Sequence, residues 1–260
     1  MKTGMSSACF YPLETEKSVK KCGEMGFKNI EIFVNSYCEL NGTIRDEIKA
    51  ICDYYGMKVC SVHPFTSFAE SFVFFGSYSR RIDDGIEFYK NYFEFASFLG
   101  AGLINLHGAK TLYTVDNEEY FDRYARLFEA GKQFGVTVSQ ENVVDYRSQS
   151  PVFIKRMSDY LGDNFALTLD LKQCRRAGEK ALDFIDAVGE KIKAVHISDF
   201  ANGKDCIPPL EGNEDFKTIV NALKSKGYSG EFLIELYSNG FENEAQIVTA
   251  AEKFDKILLE

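Results

Sequence analysis

Ala194-Val195-His196-Ile197-Ser198-Asp199 is the stretch whose reading decides the fold. Apolar and small residues fill it as they fill a buried strand, a histidine interrupts them, and a polar tip closes it. Three other runs share this grammar. Val136-Thr137-Val138-Ser139-Gln140 ends on Glu141, Phe165-Ala166-Leu167-Thr168-Leu169 on Asp170, and Phe232-Leu233-Ile234 on Glu235. Four strand-like runs of the second half thus finish on Glu, Asp, His and Glu in chain order. If the strands lie parallel in one sheet, the tips converge, and Glu141, Asp170, His196 and Glu235 form a metal site of mostly oxygen ligands.

Outward from these runs, short apolar stretches alternate with amphipathic ones along the whole chain, which is the pattern of βα units on a parallel sheet. The first half predicts strands at Met5 to Phe10, Lys28 to Val34, Met57 to Val62 and Leu103 to Leu106. Helices are expected at Thr15 to Met25, Thr43 to Tyr55, Ser79 to Leu99 and Asn117 to Phe134, several stopped by a glycine. The second half adds strands at Val136 to Gln140, Phe165 to Leu169, Ile192 to Ile197 and Phe232 to Leu236. Its helices fall at Pro151 to Tyr160, Lys172 to Val188, Phe216 to Lys226 and Glu242 to Leu258. Eight alternations with short joints and no low-complexity linker predict an α/β chain forming a single (β/α)8 TIM barrel over residues 1–260. An open doubly wound sheet is the alternative, and no glycine-rich phosphate fingerprint follows an early strand to support it.

Composition narrows the function. The 260 residues are 45% hydrophobic and 14% aromatic, enough for a sizeable core, and the formal net charge is −9. Such a balance predicts no nucleic-acid partner. The seven cysteines are scattered with no CxxC pair, so neither a disulfide framework nor a thiolate zinc site is expected, and a reduced cytoplasmic location fits. Met1 to Tyr11 does not read as a signal peptide, and no run approaches the roughly 18 apolar residues of a membrane span.

In a barrel of this kind the loops after the strands hold the active site. The tips here carry Glu31, His63, His107, Glu141, Asp170, His196 and Glu235, and the chain's three histidines are all among them. Glu31 reads either as a functional group or as a local hydrogen-bond partner. Buried together without a cation, Glu141, Asp170 and Glu235 would repel one another and take up protons. One divalent ion removes the conflict; three carboxylates and an imidazole suit Mn2+, Mg2+ or Co2+, with Zn2+ and Fe2+ also compatible. Asp199 reads as a group orienting His196 or as a solvated loop acid.

The chain resembles the xylose-isomerase-like TIM barrels, a superfamily of ketose 3-epimerases, hydroxypyruvate isomerase, inosose dehydratases and isomerases, and the family 2 AP endonucleases. The resemblance covers nearly the whole chain. It is carried by Gly26-Phe27-Lys28-Asn29-Ile30-Glu31-Ile32, Ser61-Val62-His63, Asn105-Leu106-His107-Gly108, Glu141-Asn142, Leu169-Asp170, Val195-His196-Ile197-Ser198-Asp199 and Leu233-Ile234-Glu235. It implies a single metal held by Glu141, Asp170, His196 and Glu235. Two departures matter: Gln173 stands where many relatives have a histidine three residues after Asp170, and Asp205-Cys206-Ile207 lacks the histidine of the endonucleases' Asp-x-His. Both losses argue against the nuclease reading, and a one-metal site survives them.

The resemblance further implies a metal-dependent isomerase or epimerase acting on a small ketose, sugar phosphate or polyol ketone through an enediolate. Glu141 and Glu235 would flank the substrate, one removing a proton and the other returning it. His63, His107, Lys172 and Gln173 would hydrogen-bond sugar oxygens, with Lys204 also in reach. Inosose dehydration or isomerisation is the alternative on the same site. The connection from Phe65 to Tyr78, rich in phenylalanine and longer than the usual βα loop, reads as buried packing or as a lid or subunit contact, so a homo-oligomer is compatible.

Overall fold

A computed structural model gives the structure, and it describes residues 2–112 and 115–260. Eight strands close into a barrel: β1 Thr3–Ser6, β2 Asn29–Phe33, β3 Lys58–His63, β4 Leu103–Leu106, β5 Thr137–Glu141, β6 Leu167–Asp170, β7 Ile192–Ile197 and, after a small hairpin of β8 Asp199–Ala201 and β9 Lys204–Ile207, β10 Glu231–Ile234. Every neighbouring pair around the barrel is parallel, and β10 closes it against β1 through Thr3–Phe232, Gly4–Leu233 and Met5–Ile234. Strands of a parallel sheet are covered on both faces, which explains why these runs are near-continuously apolar and why β4 and β6 are buried at every residue. The expected barrel is the fold that forms.

The helices wrap the outside: α1 Thr15–Glu24, α2 Gly42–Tyr55, α3 Glu70–Val73, α4 Arg81–Leu99, α5 Asn117–Lys132, α6 Pro151–Leu161, α7 Leu171–Ala177, α8 Ala181–Val188, α9 Phe216–Ser225 and α10 Glu244–Leu259. Local chemistry sets their starts. The side chains of Asp116, Ser150, Asp170, Asp215 and Asn243 each accept a backbone N–H of the first turn, and Pro151 opens α6. Phe93, Phe95, Phe121, Phe184, Phe216, Phe232 and Phe254 are fully buried, each contributing about 1.5–3 kcal/mol relative to exposure. Among the described residues no helix is long and apolar enough to cross a membrane.

Three elements differ from expectation. The first strand stops at Ser6, because Ser6 Oγ accepts the Ala8 N–H and turns the chain into a 3-10 segment over Ser7–Phe10. The helix expected over Lys172 to Val188 is two, α7 and α8, separated at Gly178, whose φ of +73° a continuing helix does not allow. The connection after β3 is ordered by a 3-10 segment at Phe65–Ala69 and by α3. Its phenylalanines divide: Phe74 and Phe75 are buried, while Phe68 and Phe72 are exposed.

Candidate metal centre

Each side chain of the predicted cluster arrives at the barrel mouth for a traceable reason. Glu141 is the last residue of β5 and Asp170 the last of β6. His196 lies one residue before the end of β7, and Glu235 continues β10 by donating its N–H to Ile197 O at 3.2 Å. Asp170 serves two elements at once. Its Oδ1 caps α7 by accepting Gln173 N–H at 2.9 Å, which leaves Oδ2 facing the mouth. Asn142 fixes that residue's backbone from both sides, donating to Asp170 O at 3.0 Å and accepting Asp170 N–H at 2.7 Å. This accounts for the Glu141-Asn142 pair.

The four side chains each offer one ligand atom, and those atoms all lie within 4.8 Å of one another. His196 Nδ1 is 3.7 Å from Glu141 Oε1, 3.6 Å from Glu235 Oε2 and 3.9 Å from Asp170 Oδ2. The other ring nitrogen, Nε2, lies 3.1 Å from Glu31 Oε2. A carboxylate only accepts, so Nε2 carries the proton and Nδ1 is the atom turned to the cluster. Glu31 is itself held at the barrel centre by Ser6 Oγ at 3.0 Å, Ser61 Oγ at 2.6 Å and Asn105 Nδ2 at 2.7 Å. Glu31 therefore orients His196, in the arrangement by which outer carboxylates set the tautomer of metal-ligating imidazoles.

Whether these residues fit a metal is tested by their unused atoms. Among the described residues four buried side-chain polar atoms have no hydrogen-bond partner, and three of them are Glu141 Oε2, Asp170 Oδ2 and His196 Nδ1. A buried polar atom left unpaired costs about 1–3 kcal/mol, and Asp170 Oδ2 and His196 Nδ1 lie 3.9 Å apart in the four-residue cluster, while Glu141 Oε2 faces His63 and His107. Three oxygens and one nitrogen form a hard donor set, and the residues fit a divalent ion.

His63 and His107 complete a second side of the mouth. Their Nε2 atoms are 3.0 Å apart and lie 3.4 and 3.3 Å from Glu141 Oε2, close enough for charge attraction but without hydrogen-bond geometry. His63 stacks on Phe33 with ring centroids 4.7 Å apart. The His107 peptide is caged: Gln140 Nε2 donates to His107 O at 2.9 Å, and Glu70 Oε2 accepts the next N–H, that of Gly108, at 2.7 Å. Gly108 has a φ of +83°, and a Cβ there would stand 1.9 Å from the Tyr120 hydroxyl, so only glycine fits.

The remaining predicted residues fall in different places. Lys172, in the first turn of α7, is buried and places Nζ 2.8 Å from Glu235 Oε2 and 3.2 Å from Asp170 Oδ2. Gln173 is half-buried and accepts Val144 N–H at 3.2 Å, tying α7 to the loop after β5. Lys204 is exposed on the β8–β9 hairpin. Asp199 is no solvated acid. It is fully buried and accepts the N–H groups of Phe200, Gly212 and Glu214, so it builds the loop after β7. Beside Glu235 a cleft of about 410 Å³ opens between Tyr11, Phe33, Phe65 and Tyr237, within the usual size range of small-ligand pockets.

Crowding these groups shifts them apart. Burial raises the Glu141 carboxyl, but His107, His196 and His63 outweigh it and hold it well below the usual range. Burial also raises Asp170, to about 6, against the pull of Lys172. Glu235, a little more exposed, goes the other way, to about 2, because Lys172 and His196 lie closer to it and outweigh burial. Burial lowers the histidines, yet Glu141 lifts His63 to about 9, and Glu31 with Glu235 lifts His196 well above its ordinary value.

The hydrogen-bonding roles of Ser6, Ser61, Asn105, Gln140 and Glu70 are not visible in the sequence. Their roles depend on neighbours across the sheet, and only the polar interruptions Ser61 and Asn105 within apolar strands hint at them.

Comparison with known proteins places the chain. A family model described as xylose isomerase-like TIM barrel matches residues 19–257. The L-ribulose-5-phosphate 3-epimerase UlaE of Salmonella paratyphi A is 27% identical over 66% of this chain, which spans 63% of that protein's length. A solved D-psicose 3-epimerase with D-tagatose, from Clostridium cellulolyticum H10, superimposes with a TM-score of 0.82 at 16% identity, covering 99% of each chain. A structure of IOLI protein with a bound zinc atom gives 0.78 at 19% identity, covering 99% of this chain and 98% of that one.

Proposed function

This chain belongs to the xylose isomerase-like TIM barrel family, and from that premise we propose that it is a divalent-metal-dependent isomerase or epimerase of a small ketose or related sugar, working by proton transfer through an enediolate. The observation that carries the reading is the convergence of Glu141, Asp170, His196 and Glu235, whose ligand atoms lie within 4.8 Å of one another at the barrel mouth, with Asp170 Oδ2 and His196 Nδ1 buried and without hydrogen-bond partners. Glu141, Asp170, His196 and Glu235 would hold the ion, Mn2+ first and Mg2+, Co2+ or Zn2+ as alternatives. When bound, it supplies Lewis-acid polarisation of adjacent substrate oxygens, which acidifies the neighbouring C–H.

The chain's own residues supply the rest. Glu141 ends strand β5 and Glu235 follows strand β10, on opposite sides of β7 and its His196, and the surrounding histidines and Lys172 hold both carboxyls below their ordinary range. One carboxylate would accept the carbon-bound proton, and the other, after taking up a proton from water, would return one to the opposite face; a positioned acid or base of this kind contributes about 10²–10⁴-fold. His63, His107, Lys172, Gln173 and Lys204 are the proposed partners of the sugar oxygens. Tyr11, Phe33, Phe65 and Tyr237 shape the cleft beside Glu235 and exclude water from the reacting carbon.

The names of the similar proteins, an L-ribulose-5-phosphate 3-epimerase and a D-psicose 3-epimerase, support sugar epimerisation as the class. Inosose dehydration or isomerisation on the same site is the second reading, since enediolate formation serves both. The test is a panel of ketoses, ketose phosphates and inososes in D2O with added Mn2+, followed by loss of the substrate α-proton signal. Metal-dependent exchange on at least one of them is expected. Failure of every substrate, with metal bound, would remove the proposed function.

A further inference from the structure

Lys172 is the single ammonium among the described residues that touches two of the four proposed ligands. Its side chain is only 5% exposed, and its Nζ meets Glu235 Oε2 at 2.8 Å and Asp170 Oδ2 at 3.2 Å. Those are not spare oxygens. Asp170 Oδ2 has no hydrogen-bond partner, and Glu235 Oε2 is 3.6 Å from the orphaned His196 Nδ1. Tyr237 backs the ammonium with its ring centroid 5.2 Å away. An ammonium taken out of water needs paired charges, and clustered carboxylates need a cation. Lys172 supplies that charge to both acids at once, with the His196 ring the next group in reach, 3.6 Å from Glu235 Oε2 and 3.9 Å from Asp170 Oδ2.

An ion entering the centre would compete for the same two oxygens and stand close to a fixed positive charge, which repels it. Resting on the metal reading above, we propose that Lys172 is the resident counter-cation of the centre: it holds Asp170 and Glu235 together in the absence of metal, and a divalent ion binds by displacing its ammonium from their oxygens. The ammonium stays charged throughout and, once displaced, is free for a sugar oxygen. The centre is then an exchange site. The barrel folds with or without the ion, and Lys172 lowers the affinity it would otherwise have.

The test compares chelator-stripped wild type with Lys172→Met and Lys172→Arg by calorimetric titration of Mn2+ and by thermal melting. Lys172→Met, which keeps the stem and loses the charge, is expected to bind Mn2+ at least 10-fold more tightly. Its metal-free form should melt several degrees below wild type, with the difference narrowing when Mn2+ is saturating. Lys172→Arg keeps the charge and should stay within about threefold of the wild-type affinity. Should Lys172→Met fail to fold, Lys172→Gln, uncharged but able to donate, is expected to show the same tightening. Equal or weaker Mn2+ binding by the uncharged variant overturns the proposal. Binding is read without turnover, so inactivity towards every sugar would remove only the proposed reaction, and an absence of Mn2+ binding in all variants would remove the metal centre itself.

Discussion

Glu31 and Glu235 are both carboxylates at strand tips, and their neighbours give them different work. Glu31 Oε2 takes hydrogen bonds from His196, Ser61 and Asn105, so it acts on the centre only through the imidazole. Glu31→Gln can keep an oxygen facing those three donors while losing the charge. It is expected to weaken Mn2+ binding by about 10–100-fold, read by titration, with the fold unchanged by circular dichroism; unaltered affinity would show that His196 needs no such partner. Glu235 is fixed by a buried strand while its carboxylate faces the mouth. Glu235→Gln keeps a coordinating oxygen but removes a proton acceptor, so turnover should fall by about 10²–10⁴-fold and saturating Mn2+ should not restore it. Restoration by excess metal would reduce Glu235 to a ligand. Both residues were legible as strand tips, but the sequence could not separate their roles, because Ser6, Ser61 and Asn105 reach Glu31 across three other strands.

The connection after β3 behaves as a structural element of the site rather than as slack between β3 and α4. Glu70, the first residue of α3, accepts Tyr89 O–H and Gly108 N–H at 2.7 Å each, and Ser71 Oγ donates to Gly108 O and accepts Lys110 N–H. The segment therefore clamps the chain immediately after His107. Burial raises the Glu70 carboxyl from its ordinary 4.5 to about 7, against His107, Gly108, Tyr89 and His63, which favour its ionised form. An acid harder to ionise when folded binds its proton more tightly there. Its contribution is complete below about 4.5 and is lost as pH rises through about 7. That gap corresponds to about 3 kcal/mol. Glu70→Gln, a neutral stand-in, should thus gain stability relative to wild type between pH 5 and pH 8, seen as a melting-temperature difference that grows with pH. A constant difference would contradict the assignment. Periodicity showed that this segment was unusually long, but α3 is four residues and too short to leave a pattern. For the same reason the break at Gly178 and the β8–β9 hairpin went unread.

At the scale of the whole molecule the sequence spoke most clearly. Eight apolar runs at regular spacing have few arrangements that bury both faces of each, and the closed parallel barrel is the one that forms. The same closure explains why the second-half tips could be grouped before any geometry was known. Parallel strands all present their C-terminal ends at one mouth, so Glu141, Asp170, His196 and Glu235 share it whatever the detail of the loops. What a one-dimensional reading could not supply was the interior. Thr168 Oγ1 lies 2.8 Å from both Asn105 Oδ1 and Ser139 Oγ, part of a polar floor that sets the height and tilt of the groups above it. The proposed centre requires one cation seated above that floor. The most direct measurement is an anomalous difference map from crystals of the protein soaked in Mn2+. One peak is predicted within about 2.0–2.5 Å of oxygens of Glu141, Asp170 and Glu235 and of His196 Nδ1. A peak elsewhere, or any of those four side chains turned away from it, would contradict the account.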